Sequence, residues 1–162
     1  RPPSGPMSSR GWVEIITAMV VDRIITMDLH STQIQGFTKI PFDHLYSRMV
    51  LLDAIKKECF DPVNSAVLVP DIGSAAISQA YAKRLGMHFA LIDKIRYAPN
   101  QSAITHVVGE LKDKDGLIID DMIDTAGNTV NAAEDAMEQG AKSVTAIATH
   151  GILSGPAFDT PR

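Results

Sequence analysis

The sequence has one cysteine, Cys59, one tryptophan, and aromatic residues at only 6%. A single thiol closes no internal disulfide. Set in an apolar helical pattern, it reads as a buried, inert side chain in a reducing compartment. Charge of one sign is lacking too: 15 Lys and Arg stand against 19 Asp and Glu, a formal net charge of -4. That balance offers no field for nucleic acid or an anionic membrane, so neither is expected as a partner. No apolar run nears the roughly 18 residues of a membrane-spanning helix, and no secretory pattern is recognisable, so the expected location is cytoplasmic. The 162 residues suit one domain, or one domain plus part of another. Neither the opening RPPSGP nor the closing FDTPR carries a cap or closing element, and the chain reads as a piece of a longer protein.

What is present is an alternation of helical and strand periodicity. Trp12, Ile15, Ile16 and Met19 space a helix over 6–20, and RIITM at 23–27 reads as a short strand. Residues 31–46 read as a loop punctuated by Gly36 and Pro41. An amphipathic helix is expected over 47–59, a strand over 65–69, and a helix over 72–85 closed by Gly86. Strands follow at 89–92, 105–108 and 117–119, with 93–105 polar and irregular. A helix over 129–139, closed by Gly140, leads to a last strand at 143–148. Strands alternating with helices imply right-handed crossovers and a doubly wound α/β parallel sheet covered on both faces.

In such sheets the ligand sits at the carboxyl ends of the strands. Every unusual loop here follows a strand: DLH at 28–30, PDIGS at 70–74, DKIR at 93–96, DDMIDTAGNT at 120–129 and THGILSG at 149–155. Residues 125–129 are small or hydroxylated and open a helix, so their amides and hydroxyls can wrap a phosphate monoester. Asp120 and Asp121 stand beside that loop, where carboxylates accept from a vicinal diol. A sugar phosphate satisfies both. The blander alternative is that the acids cap a helix and solvate a turn.

LIIDDMIDTAGNT resembles the ribose-phosphate loop of type I phosphoribosyltransferases and their relatives. ITMDLHSTQIQGF, IPFDHLY, LVPDIGSA, ALIDKIR and ATHGILSGPAF add the order and spacing of one family. Over about 6–158 the chain resembles the ribose-phosphate pyrophosphokinases, also called phosphoribosyl pyrophosphate synthetases. The resemblance implies transfer of the pyrophosphoryl group of ATP to the 1-hydroxyl of ribose 5-phosphate, with Mg2+. It also implies a phosphoribosyltransferase-like fold, with residues 1–45 the end of one such domain and 46–162 a second, incomplete at its C-terminus. ATP and ribose 5-phosphate are the implied partners, with inorganic phosphate or a nucleotide as regulator and a homo-oligomeric assembly.

The same resemblance assigns roles. His30 and Asp71 become magnesium ligands, and Asp71, Gly73 and Ser74 the pyrophosphate loop. Lys94 and Arg96 become catalytic cations. Asp120, Asp121 and Asp124 hold the ribose and its surroundings, while Thr125, Ala126, Gly127, Asn128 and Thr129 hold the 5-phosphate. Thr32 and Gln35 fall in a segment the family uses for subunit contacts and regulation. The sequence departs from the family at Ser74, where a second glycine is usual, at Ile95 between the two cations, and at Asn128, where threonine is common. RGWVE at 10–14 also matches poorly. Two alternatives stay open: a phosphoribosyltransferase, and a non-catalytic regulatory subunit of the same family. The expected result for the isolated 162-residue chain is little or no activity.

Overall fold

The computed structural model describes residues 5–58, 60–70, 72–95 and 104–158. They form two compact units, Arg1–Ser47 and Arg48–Arg162.

The first unit opens with helix α1, Gly5–Ala18. Val13 is buried, and the Thr17 hydroxyl donates to the Val13 carbonyl at 2.7 Å. The apolar spacing that marks the helix lies open, with Trp12 67% and Met19 72% exposed. Spacing marks a face that can be covered; among the described residues nothing covers this one. Strands β1 (Ile24–Met27) and β2 (Phe42–Leu45) pair in parallel, with a 3-10 helix, Thr32–Phe37, between them. Residues 31–46 are therefore not simply a loop. FDHL carries no strand periodicity of its own and takes its extended form from the β1 ladder. The Arg23–Asp43 ion pair at 2.8 Å spans the two strands.

The second unit is a five-stranded sheet in the order β5-β4-β3-β6-β7. Its elements run α2 (Arg48–Lys57), β3 (Ser65–Val69), α3 (Ala75–Leu85), β4 (His88–Ile95), β5 (Ile104–Gly109), β6 (Asp115–Ile123), α4 (Gly127–Glu138) and β7 (Ser143–Gly151). The run SAVLV is buried at every position and forms the central strand, as a sheet covered on both faces requires. Strand alternation then deals residues to two cores. Val67, Leu117 and Ile119 pack with Leu51, Leu52 and Ile55 of α2 and with Tyr81 and Ala82 of α3. Ala66, Leu68 and Ile118 pack with Ala132 and Ala136 of α4 on the other face. Each fully buried aliphatic side chain, such as Ile55 or Leu68, contributes about 1.5–3 kcal/mol. Gly86, with φ 69°, closes α3 in the left-handed conformation expected of it.

The sheet is parallel-dominated rather than wholly parallel. Strand β5 pairs antiparallel with β4, through Ala90↔Gly109 to Ile95↔Ile104. That ladder carries β4 through the polar residues expected to be irregular and puts Lys94 in a strand, opposite Thr105. Gly109, with φ 120°, lets the two strands meet: a β-carbon there would lie 2.1 Å from the Phe89 carbonyl oxygen.

Candidate functional site

Strands β3, β4, β6 and β7 all run the same way, so their carboxyl ends share one edge of the sheet. Chain order reverses between β3 and β6: the chain passes from β3 outward to β4, then returns to β6 on the other side of β3. The crevice of an open α/β sheet lies at such a reversal. The 3-10 helix Ile72–Ser74 follows β3, residues 124–126 follow β6, and 152–155 follow β7 beside them.

Strand β6 outlasts its apolar run. Pairing with β7 continues from Asp115↔Ser143 to Ile123↔Gly151, so Asp120 and Asp121 sit within the strand rather than beyond its end. Both are half-buried. The Asp121 amide donates to Asp120 Oδ1 at 2.8 Å. Burial raises the Asp120 pKa above the usual aspartate range, and the Asp121 carboxyl adds to the rise. Backbone donors from Asp121 and Met122 pull the other way without cancelling it.

Past β6, Ala126 adopts φ 62°, ψ -1° and opens α4 with no side-chain cap, while the Val130 amide returns to the Ala126 carbonyl at 2.9 Å. The first turn of α4 contains no acid. Its leading amides thus end at Thr125–Thr129 with neither a capping side chain nor a first-turn acid, the arrangement that receives an anion. Asp124 is exposed and accepts a hydrogen bond from the Ser154 hydroxyl.

Gly73 and Ser74 end the 3-10 helix Ile72–Ser74 that leads from β3 into α3. Ser74 occupies the N-cap of α3 at φ -90°, ψ -3°, an ordinary right-handed conformation, and makes no side-chain cap. The backbone of Lys94 is in β4, at the same sheet edge. Asp71 and Arg96 lie outside the described residues. His30 follows β1 in the first unit, a different compact unit from the other candidates.

Among the described residues no three His, Cys, Asp or Glu side chains group as metal ligands. The carboxylate oxygens at 120, 121 and 124 are hard donors of the kind magnesium takes, usually one or two at a time beside water and phosphate. A cavity of about 460 Å³, lined by Gly109, Glu110, Lys112, Lys114 and Gln139 among others, lies at the amino ends of the strands, away from these loops.

Two features escaped sequence reasoning. A left-handed alanine at 126 has no sequence signal, since glycine and asparagine usually fill such positions. The Ser154–Asp124 bond could have been suspected from GILSG, where a hydroxyl follows a strand adjacent to β6.

A parallel-dominated sheet with an uncapped helix start beside paired acids defines a phosphoribosyltransferase-like α/β protein. Residues 93–160 match the family described as the phosphoribosyl synthetase-associated domain. The chain is 43% identical over 157 residues to a ribose-phosphate pyrophosphokinase from Campylobacter jejuni, covering 97% of this chain and 50% of that protein. It is 46% identical over 145 residues to one from Chlorobaculum tepidum, covering 90% and 45%. The crystal structure of phosphoribosylpyrophosphate synthetase from Mycobacterium smegmatis superposes with a TM-score of 0.81 at 37% identity, covering 95% of this chain and 49% of that one. Over nearly its whole length the chain is similar to ribose-phosphate pyrophosphokinases, and it spans about half the length of the curated relatives it matches.

Proposed function

We propose that this chain is the ribose 5-phosphate-binding part of a ribose-phosphate diphosphokinase. The observation that carries the reading is the uncapped start of α4, set directly after a strand bearing Asp120 and Asp121. A phosphate monoester suits the amides of 125–129, and the ring hydroxyls suit the acids. In the reaction, the 1-hydroxyl oxygen attacks the β-phosphorus of ATP. The bond from that phosphorus to the oxygen bridging the α-phosphorus breaks, AMP leaves, and the hydroxyl proton is lost. Lys94 and Arg96 are the cations for charge gathering on the transferring group. Gly73 and Ser74, with Asp71, face the pyrophosphate. Mg2+ would supply charge neutralisation on the phosphates, with His30 contributing to one magnesium site and Asp71 holding a second.

Residues 1–45 are, in this reading, the end of a preceding phosphoribosyltransferase-like domain. The whole protein is a cytoplasmic homo-oligomer. Thr32 and Gln35 belong to its regulatory segment for phosphate or a nucleotide; there Gln35 Nε2 donates to the Thr32 carbonyl at 3.2 Å. Ser74 and Ile95 favour a second reading, a regulatory subunit of the same family. AMP release from ATP by the full-length protein tests both. Release that depends on ribose 5-phosphate is the expected result, and tight sugar binding without turnover would favour the regulator. The 162-residue chain alone is expected to be inactive or nearly so.

A further inference from the structure

The segment after β7 has no role in the function proposed above, yet it is fastened to the sugar-phosphate loop at several points. The Ile152 and Leu153 amides both donate to the Ile123 carbonyl, at 3.0 and 3.2 Å. The Ser154 amide donates to the Asp124 carbonyl at 3.0 Å, and the Ser154 hydroxyl donates to Asp124 Oδ1. Leu153 takes a left-handed φ of 51°, which a leucine adopts only when its surroundings impose it. The opposite end of the same strand pair carries a matching contact, with the Ser143 hydroxyl donating to Asp115 Oδ1 at 2.7 Å. Serine-to-aspartate bonds thus fasten β6 to β7 at both ends, and only one of them reaches a candidate site residue.

We infer that Ser154 is a positioning residue that orients the Asp124 carboxylate toward the bound sugar. The inference rests on the ribose 5-phosphate reading. An exposed aspartate at the start of a loop samples several rotamers, and a hydroxyl donor from the adjacent segment after β7 restricts it to one. Backbone bonds hold the segment in place without the hydroxyl, so losing the side chain frees Asp124 and leaves the strap intact. Asp124 then pays an ordering cost on each binding event, which appears in sugar affinity rather than in ATP affinity.

The test is calorimetry of ribose 5-phosphate with the full-length protein, beside steady-state kinetics. Ser154→Ala is expected to weaken sugar binding by about five- to tenfold, the loss typical of one hydrogen bond, and to raise KM for the sugar while KM for ATP holds. Ser154→Thr, which keeps the hydroxyl, restores both. Ser143→Ala removes the matching bond at the far end and leaves sugar affinity unchanged, which separates positioning from a general loosening of the strand pair. In an Asp124→Ala background, Ser154→Ala adds nothing. A Ser154→Ala protein with unchanged affinity, or additive effects in the double variant, overturns the inference alone. A wild-type protein that binds no ribose 5-phosphate overturns the function proposed above and this role with it.

Discussion

The Asp121 amide donates to Asp120 Oδ1 at 2.8 Å while the Asp121 carboxyl opposes the ionisation of the same side chain. One residue thus stabilises and destabilises its neighbour's charge at once, and burial tips the sum toward a raised pKa. The folded protein holds the Asp120 proton to higher pH than the unfolded chain does. Stability therefore falls as pH rises from the usual aspartate range through the raised value, and stays reduced above it. Asp120→Asn removes that cost. The variant is expected to melt higher than wild type at pH 7, with the difference shrinking as pH falls below the usual aspartate range. It should also bind ribose 5-phosphate more weakly. Thermal unfolding across pH, beside sugar calorimetry, checks both halves.

Ala126 sits at φ 62°, a region costly for any residue with a β-carbon and costlier for a branched one. Ala126→Val is expected to lose about 1–2 kcal/mol of stability and most of the sugar-phosphate affinity, because the helix start turns away from its present direction. Ala126→Gly keeps the turn and should keep the affinity. Denaturant unfolding and ribose 5-phosphate binding read the two effects separately.

Gly109 admits no side chain. Its β-carbon would meet the Phe89 carbonyl at 2.1 Å and the φ of 120° is itself unfavourable for any other residue. Gly109→Ala should cost about 2–4 kcal/mol through overpacking and strain together, and hydrogen exchange should locate the loss in β4 and β5.

Lys94 and Arg96 divide from the acids in what they bind. In the function proposed above, the acids hold sugar in ground and transition states alike, whereas the cations meet charge that appears during transfer. In the full-length protein, alanine at either position should cut turnover by about 10² to 10³, the loss of a transition-state donor, with sugar affinity little changed. A Lys94→Ala protein that turns over normally but binds sugar poorly would make this strand end a clamp.

Local pattern revealed much of this molecule. SAVLV and LII are strands because they are buried on both faces, and Gly86 ends α3 because only a glycine turns left-handed there without cost. The errors have a common cause. β2, the last residues of β4 and the extension of β6 through Asp120 to Ile123 contain polar residues whose extended form comes from a partner strand. A ladder between distant segments leaves no mark on the periodicity of either. The succession of strand, acids and helix start over 117–129 was legible because it lies within one stretch. His30 was legible only as a residue type, since nothing in its own segment says what it faces. The apolar spacing over 12–19 was legible as a helix, although Trp12 and Met19 are left open.

The place of β3 between β4 and β6 has a kinetic side. Its pairing with β4 joins Ala66 to His88, and the pairing of β6 with β7 joins Asp115 to Ser143. Joining Ser65 to Asp115 closes the longest stretch of chain in the sheet, the slowest kind of contact for a folding chain to find. Each half can assemble early from its own crossover, and the seam between them closes last. In the function proposed above, the sugar-phosphate crevice is that seam. A ligand held there acts as a latch on the final step of folding, so ribose 5-phosphate or free phosphate should slow the unfolding of the second unit more than it speeds refolding.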